Sequence, residues 1–187
     1  MRIVIAGGHG RIALRLERLL SAGGHEAVGL IRRPEQAEDL RAAGAGPDSG
    51  AARKDTVDRG AAVLFADAAE RAGVRRFLVV SSMGADSRHA GDEVFDVYLR
   101  AKGAADDAGR SRPGLEWTIL RPGMLTDDAG TGLVRLEART GRGPVPRDDV
   151  AAVLAELVDS PGTAGLTLEL VGGGTPVMVA VKDVAGN

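Results

Sequence analysis

Residues 2–22 have the sequence RIVIAGGHGRIALRLERLLSA, and they give the clearest indication of the fold. The first five residues are a short β-branched run that ends at glycine, as is typical of a buried parallel strand. After the glycines, apolar residues recur at helical spacing until Gly23 and Gly24 end the helix. These apolar residues are Ile12, Leu16, Leu19 and Leu20. The stretch therefore predicts a strand, a glycine turn and an amphipathic helix.

The same alternation continues along the chain. Further strands are predicted at 26–31, 76–81, 115–120, 132–138 and 167–171. Further helices are predicted at 34–43, 55–72, 92–109 and 147–159, the last capped by Asp148. Residues 44–52 are small or turn-forming and predict a loop, whereas 176–184 fit either a frayed helix or a tail. This order predicts one domain, 1–187, with an α/β fold of Rossmann type: three α/β/α layers around a mostly parallel sheet with right-handed crossovers.

The composition is that of a folded globular chain, and it excludes several classes of function. Hydrophobic residues make up 44% and the net charge is −2, so no basic surface for nucleic acid or an anionic membrane is expected. There is no cysteine, and His9, His25 and His89 lie far apart, so no metal site is expected. No apolar run approaches the roughly 20 residues of a membrane span, and no signal peptide is seen. We expect a cytoplasmic monomer or homodimer.

The glycine turn matches a dinucleotide-binding pattern. Gly8-x-Gly10-x-x-Ala13 fits G-x-G-x-x-G/A between a strand and a helix, with a second strand about 20 residues on. Glycines let backbone N–H groups approach a pyrophosphate, and the helix amino terminus adds partial positive charge. NAD-specific proteins hold the ribose 2′-hydroxyl with an acidic residue, but here Arg32-Arg33 stand there and suit a 2′-phosphate. We therefore predict NADP(H), in preference to NAD(H), although the arginines could instead be a solvated surface pair.

Tyr98 and Lys102 form a candidate catalytic pair, because four residues place them on one face of the predicted helix. Tyr98 is the only tyrosine of the chain. With an ammonium beside it, the phenol could donate a proton to a carbonyl as hydride arrives, or accept one in the reverse direction. Ser81 and Ser82, at the carboxyl end of the preceding strand, could orient the carbonyl oxygen. The alternative is a packing tyrosine, a solvated lysine and a strand-end cap.

Three acidic pairs could be imagined as hydrolytic carboxylates. They lie at 106–107, 127–128 and 148–149. Each is better interpreted as a loop or helix-cap element, because aspartate favours both positions.

Six segments together resemble the atypical short-chain dehydrogenases/reductases, in particular their small NAD(P)H-binding members related to NmrA-like and epimerase-like proteins. The segments are AGGHGRIA at 6–13, LIRRP at 30–34, LVVSSMGAD at 78–86, YLRAK at 98–102, WTILRPGML at 117–125 and VPRDDVA at 145–151. The resemblance implies that the pyrophosphate is held by Gly7, Gly8, Gly10, Arg11 and Ile12. It implies cofactor contacts from Arg32 to the 2′-phosphate, from Lys102 to the nicotinamide ribose, and from Pro122 and Gly123 at the nicotinamide end. Ser81 is also expected to contact the cofactor. It also implies that Tyr98, Lys102 and Ser82 occupy the catalytic positions.

One departure from the family is large. Family members continue from the helix ending near Ala43 into a third strand, a third helix and a fourth strand, before the long helix that begins here near Asp55. About one β-α-β unit, roughly 30 residues, is therefore absent after residue 43. In the strand order 3-2-1-4-5-6 the fourth strand lies beside the first, so its loss should open the centre of the sheet unless strand 76–81 moves against the first. A natural deletion, a gene-model error and an engineered cut would each leave this pattern.

The sequence thus predicts an NADP(H)-binding, oxidoreductase-like protein that acts on a small-molecule substrate whose identity the residues do not reveal. Two alternatives stay open. One is a non-catalytic NADP(H)-binding protein that senses redox state or regulates a partner. The other is a defective remnant that binds no cofactor.

Overall fold

The computed structural model of the chain describes residues 1–48 and 60–186. Residues 49–52 of the predicted loop and 55–59 of the predicted helix lie outside the described residues. The strands are β1 Arg2–Ala6, β2 Glu26–Leu30, β3 Gly46–Asp48, β4 Arg76–Val80, β5 Glu116–Pro122, β6 Met124–Thr126, β7 Leu133–Glu137, β8 Pro144–Pro146, β9 Thr167–Gly172 and β10 Thr175–Pro176. The helices are α1 Arg11–Ala22, α2 Ala37–Ala42 after a 3-10 turn at Pro34–Gln36, α3 Gly60–Arg71, α4 Val94–Arg110, α5 Arg147–Val158 and α6 Val177–Ala185.

The strands form two main sheets. In the first, β1, β2 and β3 are parallel, in the order β1-β2-β3. In the second, β4, β5 and β9 are parallel and β7 and β10 are added antiparallel, in the order β10-β7-β9-β5-β4. β6 and β8 form a small parallel pair. Within the described residues β1 and β4 belong to different sheets and do not pair. The family's fourth strand would lie between them, so its absence leaves the two sheets separate. β4, the predicted strand 76–81, has not moved against β1.

The third strand is a correction to the sequence prediction. Gly46–Asp48 lies inside the predicted loop, yet it pairs in parallel with β2. The Asp48 carbonyl also accepts a hydrogen bond from the Ile31 N–H at 3.1 Å. Gly-Pro-Asp has turn composition, so this strand forms because the edge of β2 is available and not because of local propensity. The family's third strand is therefore partly retained, and the missing unit is mainly the following helix and the fourth strand.

A single apolar core joins the two sheets. Helix α1 packs against α5, and their leucines meet residues from β5 and β9. Its most buried members include Leu20, Leu120, Leu154, Leu157 and Leu170. A smaller cluster of Ala66, Ala69, Phe77 and Leu115 fills the space between α3 and the other face of the second sheet. The result is the predicted arrangement of helices on both faces of the strands.

One further segment differs from the sequence prediction, and another was left open between two alternatives. β1 was predicted to be buried, but Arg2, Val4 and Ala6 are exposed, and only Ile3 and Ile5 pack against the core. Successive side chains of a strand point to opposite faces of the sheet, so this alternation shows that the core covers one face of β1 and leaves the other uncovered. The ambiguous segment 176–184 forms helix α6, because Val177, Ala180 and Val181 are buried. Within residues 1–48 and 60–186, no helix combines the length and apolar character needed to cross a bilayer.

Candidate functional site

The glycine loop between β1 and α1 requires glycine at two positions. Gly7 has φ +74°, a left-handed conformation that L side chains rarely adopt. A Cβ at Gly8 would lie 2.6 Å from the Cα of Gly29 on β2, so this loop presses against the neighbouring strand. The Gly10 N–H closes the turn with a 2.8 Å bond to the Gly7 carbonyl. The loop can therefore bring backbone close to a ligand without a side chain in the way.

The amino terminus of α1 has no internal cap. Gly10 is the N-cap residue, no side chain among the described residues caps this end, and the first turn contains no acidic residue. The N–H groups of Arg11, Ile12 and Ala13 belong to this turn, while the Ile12 side chain packs toward the core. Open N–H donors and the partial positive charge of a 12-residue helix form a site for an anion. The residues present thus fit a dinucleotide pyrophosphate.

Arg32 lies just beyond the end of β2, where a dinucleotide's adenine ribose is recognised in such folds. Its side chain is exposed, and among the described residues it has no carboxylate partner. Arg33 differs, because its Nε lies 3.6 Å from Glu35 Oε1. The Gln36 side chain accepts bonds from both backbone N–H groups and so fixes this turn. Arg32 is therefore available for an anionic group.

Glu17 lies next to the glycine loop, and it was not singled out from the sequence. It is fully buried on α1 beneath the glycine loop, and neither carboxylate oxygen has a hydrogen-bond partner in the described structure. Burial raises its pKa to about 7, while nearby His9 and Arg18 act in the opposite direction. Glu17 shares a helical stripe with Ala13 and Leu20, and this apolar spacing could have revealed its burial.

Tyr98 and Lys102 come together as predicted from their spacing. The Lys102 Nζ lies 5.8 Å from the centroid of the Tyr98 ring, within range of a cation–π contact. The same ammonium donates a 3.0 Å hydrogen bond to the Val80 carbonyl at the end of β4. Phe95 stacks beside Tyr98 with ring centroids 6.0 Å apart. Phe95 was not predicted from the sequence, although its position one helical turn before Tyr98 could have indicated the contact.

The two serines behave differently. Ser81 is buried, and its hydroxyl has no partner within the described residues. Ser82, predicted as the catalytic serine, donates a 3.3 Å bond to the carbonyl of its neighbour Met83. The main chain ties this segment to β5, because the Ser81 N–H donates to the Leu120 carbonyl at 2.8 Å and the Met83 N–H to the Pro122 carbonyl at 3.3 Å. The serines and Pro122 are thus held at adjacent strand ends.

Asp127 connects the glycine-loop part of the site to the segment that follows Pro122-Gly123. Gly123 is bonded through its N–H to the Leu170 carbonyl, and β6 and Asp127 follow directly. Asp127 Oδ2 accepts a 2.8 Å bond from Arg11 Nη1 at the start of α1. The carboxyl end of β5 is thereby linked to the amino terminus of α1.

Several acidic residues and histidines have structural roles. Asp106, predicted as a loop or cap element, is instead buried on α4 and accepts bonds of 3.0 and 2.7 Å from Arg121. The predicted capping role of Asp148 is also wrong, because Pro146 is the N-cap of α5 and Asp148 pairs with Arg15. Each histidine bonds or pairs with an aspartate: His9 with Asp39, His25 with Asp159 and His89 with Asp96.

These features define a Rossmann-type dinucleotide-binding protein, and comparison with known proteins identifies its family. A family model described as NAD(P)H-binding matches residues 42–161, which is more than half of the chain. The matched range includes Ser81, Ser82, Tyr98, Lys102, Pro122 and Gly123, and it begins after the glycine loop. The chain belongs to this NAD(P)H-binding family.

Individual relatives agree with this assignment. The chain is 30% identical over 215 residues to YhfK of Bacillus subtilis strain 168, named an uncharacterized sugar epimerase, with 98% of this chain and 100% of YhfK covered. It is 32% identical, with a TM-score of 0.87, to a Bacillus halodurans protein described as an NAD-dependent epimerase/dehydratase, over 98% of this chain and 99% of that one. ChuY of Escherichia coli O157:H7, described as an anaerobillin reductase, shares the fold at TM-score 0.80 and 24% identity, over 92% and 97% of the two chains.

The YhfK comparison also bears on the missing unit. The alignment spans 215 positions and the chain has 187 residues, so at least 28 alignment positions have no residue in this chain. This shortfall agrees with a missing segment of roughly 30 residues.

Proposed function

We propose that the protein binds NADP(H) and uses it to reduce a carbonyl group, or oxidise an alcohol, of a small molecule. The observation that carries the proposal is the glycine turn leading into the uncapped amino terminus of α1, beside a strand that ends at Arg32. The turn and helix suit a pyrophosphate, and Arg32 suits the 2′-phosphate that distinguishes NADP(H) from NAD(H). Cofactor preference is therefore a property of Arg32.

Replacing Arg32 tests the cofactor preference. We expect Arg32→Ala to weaken NADPH binding by about tenfold to hundredfold, because a charged hydrogen bond contributes about 1.5–3 kcal/mol. NADH binding should change by less than about twofold in the same isothermal titrations, because NADH lacks the 2′-phosphate. Arg33→Ala is the matched control, because Arg33 already forms an ion pair with Glu35. An unaltered NADPH/NADH affinity ratio in Arg32→Ala would contradict the preference.

For the chemical step, NADPH bound at this site would supply the hydride. Tyr98 is positioned on the first turns of α4 to donate its Oη proton to the carbonyl oxygen as that oxygen becomes negative. Lys102 lies against the Tyr98 ring and supports the charge left on the phenol oxygen. The hydroxyl of Ser81, which no described group engages, orients the substrate oxygen, with Ser82 beside it.

The phenylalanine variant of Tyr98 tests this chemistry. Tyr98→Phe removes only the hydroxyl and retains the ring that stacks on Phe95. We expect kcat for NADPH-dependent reduction to fall by about 10²–10⁴-fold with an unchanged NADPH Kd, because general acid catalysis is lost. The assay is NADPH oxidation across a panel of aldehydes and ketones, with Phe95→Leu as the control for ring packing. Turnover equal to that of the parent protein would remove Tyr98 from the mechanism.

A second candidate function is a non-catalytic NADP(H)-binding module that responds to redox state. The Ser82 hydroxyl favours it, because that hydroxyl is already bonded to the carbonyl of its neighbour Met83. The same panel separates the two functions. NADPH binding without turnover of any carbonyl compound would support the binding module.

A further inference from the structure

Arg147 is the basic residue of the VPRDDVA segment, and neither the sequence analysis nor the proposed function gives it a role. It begins helix α5, which packs beside α1. Its Nη1 lies 2.9 Å from Asp127 Oδ1. The other oxygen of the same carboxylate accepts a 2.8 Å bond from Arg11 Nη1. Two guanidinium groups, one from the start of each helix, are therefore held by a single aspartate.

The exposure of the three side chains is uneven. Arg147 is only 18% exposed, whereas Asp127 is 55% and Arg11 is 69% exposed. Within residues 1–48 and 60–186, Asp127 is the only carboxylate that forms an ion pair with Arg147. The carboxylate and Arg11 thus form the solvent side of the cluster, and Arg147 forms its inner side. An anion arriving from solvent would meet Asp127 before it met Arg147.

The cluster lies between the two halves of the proposed cofactor site. Arg11 belongs to the uncapped turn of α1 that suits the pyrophosphate. Asp127 follows β6, which continues from the Pro122-Gly123 segment at the proposed nicotinamide end. Arg147 therefore lies on the nicotinamide side of the α1 amino terminus.

We propose that Arg147 binds the nicotinamide-side phosphate of the dinucleotide, and that Asp127 holds Arg11 and Arg147 in place until the phosphate replaces it. This inference rests on the proposed function, because it assigns a further residue to the same cofactor site. A phosphate accepts guanidinium hydrogen bonds better than a carboxylate does, and it also receives the N–H donors of α1, which Asp127 does not engage. Asp127 is exposed enough to turn into solvent when it is displaced.

Two ligands of different length locate the contact. NADPH has both phosphates of the diphosphate, whereas adenosine 2′,5′-bisphosphate has a single 5′-phosphate and no nicotinamide half. Arg147→Gln should weaken the binding of NADPH by about tenfold to hundredfold, which is the effect of removing a charged hydrogen bond. The same variant should change the affinity for adenosine 2′,5′-bisphosphate by less than about threefold. Arg147→Lys should recover part of the NADPH affinity. Arg71→Gln, on the last turn of α3, is the matched control and should change neither.

The role of Asp127 is tested by a double-variant cycle. Asp127→Asn removes the competing charge at the same size, so NADPH should bind several-fold more tightly. In the Arg147→Gln background the same change should have a smaller effect, because one of the two released guanidiniums is already absent. Equal effects in both backgrounds would overturn the role given to Asp127.

The outcomes separate this inference from the proposed function. If the parent protein binds NADPH and Arg147→Gln binds it equally well, the inference is overturned and the proposed function stands. If Arg147→Gln weakens the binding of both ligands by the same factor and also lowers the melting temperature, Arg147 stabilises the fold and does not contact the phosphate. The inference is then overturned as well. If the parent protein binds neither ligand, both proposals are wrong.

Discussion

A carboxyl group with no partner lies directly beneath the proposed phosphate loop. The Oε1 atom of Glu17 would lie 3.0 Å from a Cβ at Gly8 and 2.5 Å from a Cβ at Gly29. The two glycines therefore leave the space that this side chain fills. Because Glu17 is buried and no described group donates a hydrogen bond to its carboxylate, the folded protein favours its protonated form.

The stability of the protein should consequently fall as pH rises through the titration of Glu17. The pKa is raised from 4.5 to about 7, so the folded state retains a proton that the unfolded chain releases between these values. A difference of this size corresponds to about 3 kcal/mol, present at pH 4.5 and below and lost by about pH 7. Urea unfolding at pH 5 and pH 8 measures it. Glu17→Gln should remove this pH dependence and stabilise the protein at pH 8, whereas exposed Glu38→Gln should change the free energy of unfolding little. The same difference in unfolding free energy between pH 5 and pH 8 in the parent protein and both variants would contradict the account.

At the residue scale, the sequence predicted side chains whose roles depend on local geometry. Tyr98 and Lys102 meet because four residues make one helical turn, and Gly7 and Gly8 form the turn that their pattern indicated. Glu17 and Arg147 were not predicted in the same way. Their roles depend on which helix and which loop lie opposite, and spacing along one element does not contain that information.

At the scale of elements, pairing and packing overrode local composition in two places. β3 has the turn composition Gly-Pro-Asp, but the edge of β2 makes it a strand. α6 contains valines that favour strands, but Val177, Ala180 and Val181 fall on one helical face and are buried. The long periodic helices α1, α4 and α5 were predictable because their apolar spacing is repeated over several turns. Short segments have too few residues for such a pattern.

Helix α6 supplies a matched pair of valines that tests its packing. Val181 is 2% exposed and Val179 is 40% exposed, two residues apart on the same helix. Val181→Ala should lower the free energy of unfolding by about 2 kcal/mol, because it removes buried methyl groups and leaves a cavity. Val179→Ala should change it by less than about 0.5 kcal/mol. Denaturant unfolding of both variants is the measurement, and similar losses would show that this segment does not dock as described.

At the scale of the whole molecule, the site depends on two sheets that do not pair with each other among the described residues. The sequence indicated that the fourth strand is missing and that the centre of the sheet would open, because the family's strand order places that strand beside the first. How the halves stay together was not predictable. The two halves are joined by the packing of α1 on α5, by a core that contains Leu20 and Leu154, and by the ion pairs of Asp127 with Arg11 and Arg147. All of these contacts join residues that are far apart in the sequence.

A dinucleotide that binds across this junction should hold the halves together. NADPH at about a hundred times its Kd should therefore stabilise the folded state by about 2.7 kcal/mol. For a chain of this size the melting temperature should rise by about 5–10 °C. A thermal shift with NADPH measures it, and adenosine 2′,5′-bisphosphate at the same multiple of its Kd should give a similar shift, because stabilisation depends on the ratio of ligand concentration to Kd. Stabilisation by neither ligand would show that the site does not form.

The central claim is that the glycine loop and Arg32 still form an NADP(H) site although the fourth strand is missing. Isothermal titration of the full chain with NADPH and with NADH tests it most directly. We predict saturable binding of NADPH with one site per chain, and binding of NADH that is at least tenfold weaker, since NADH lacks the group that Arg32 would hold. The absence of binding heat with either nucleotide across several temperatures would contradict the account.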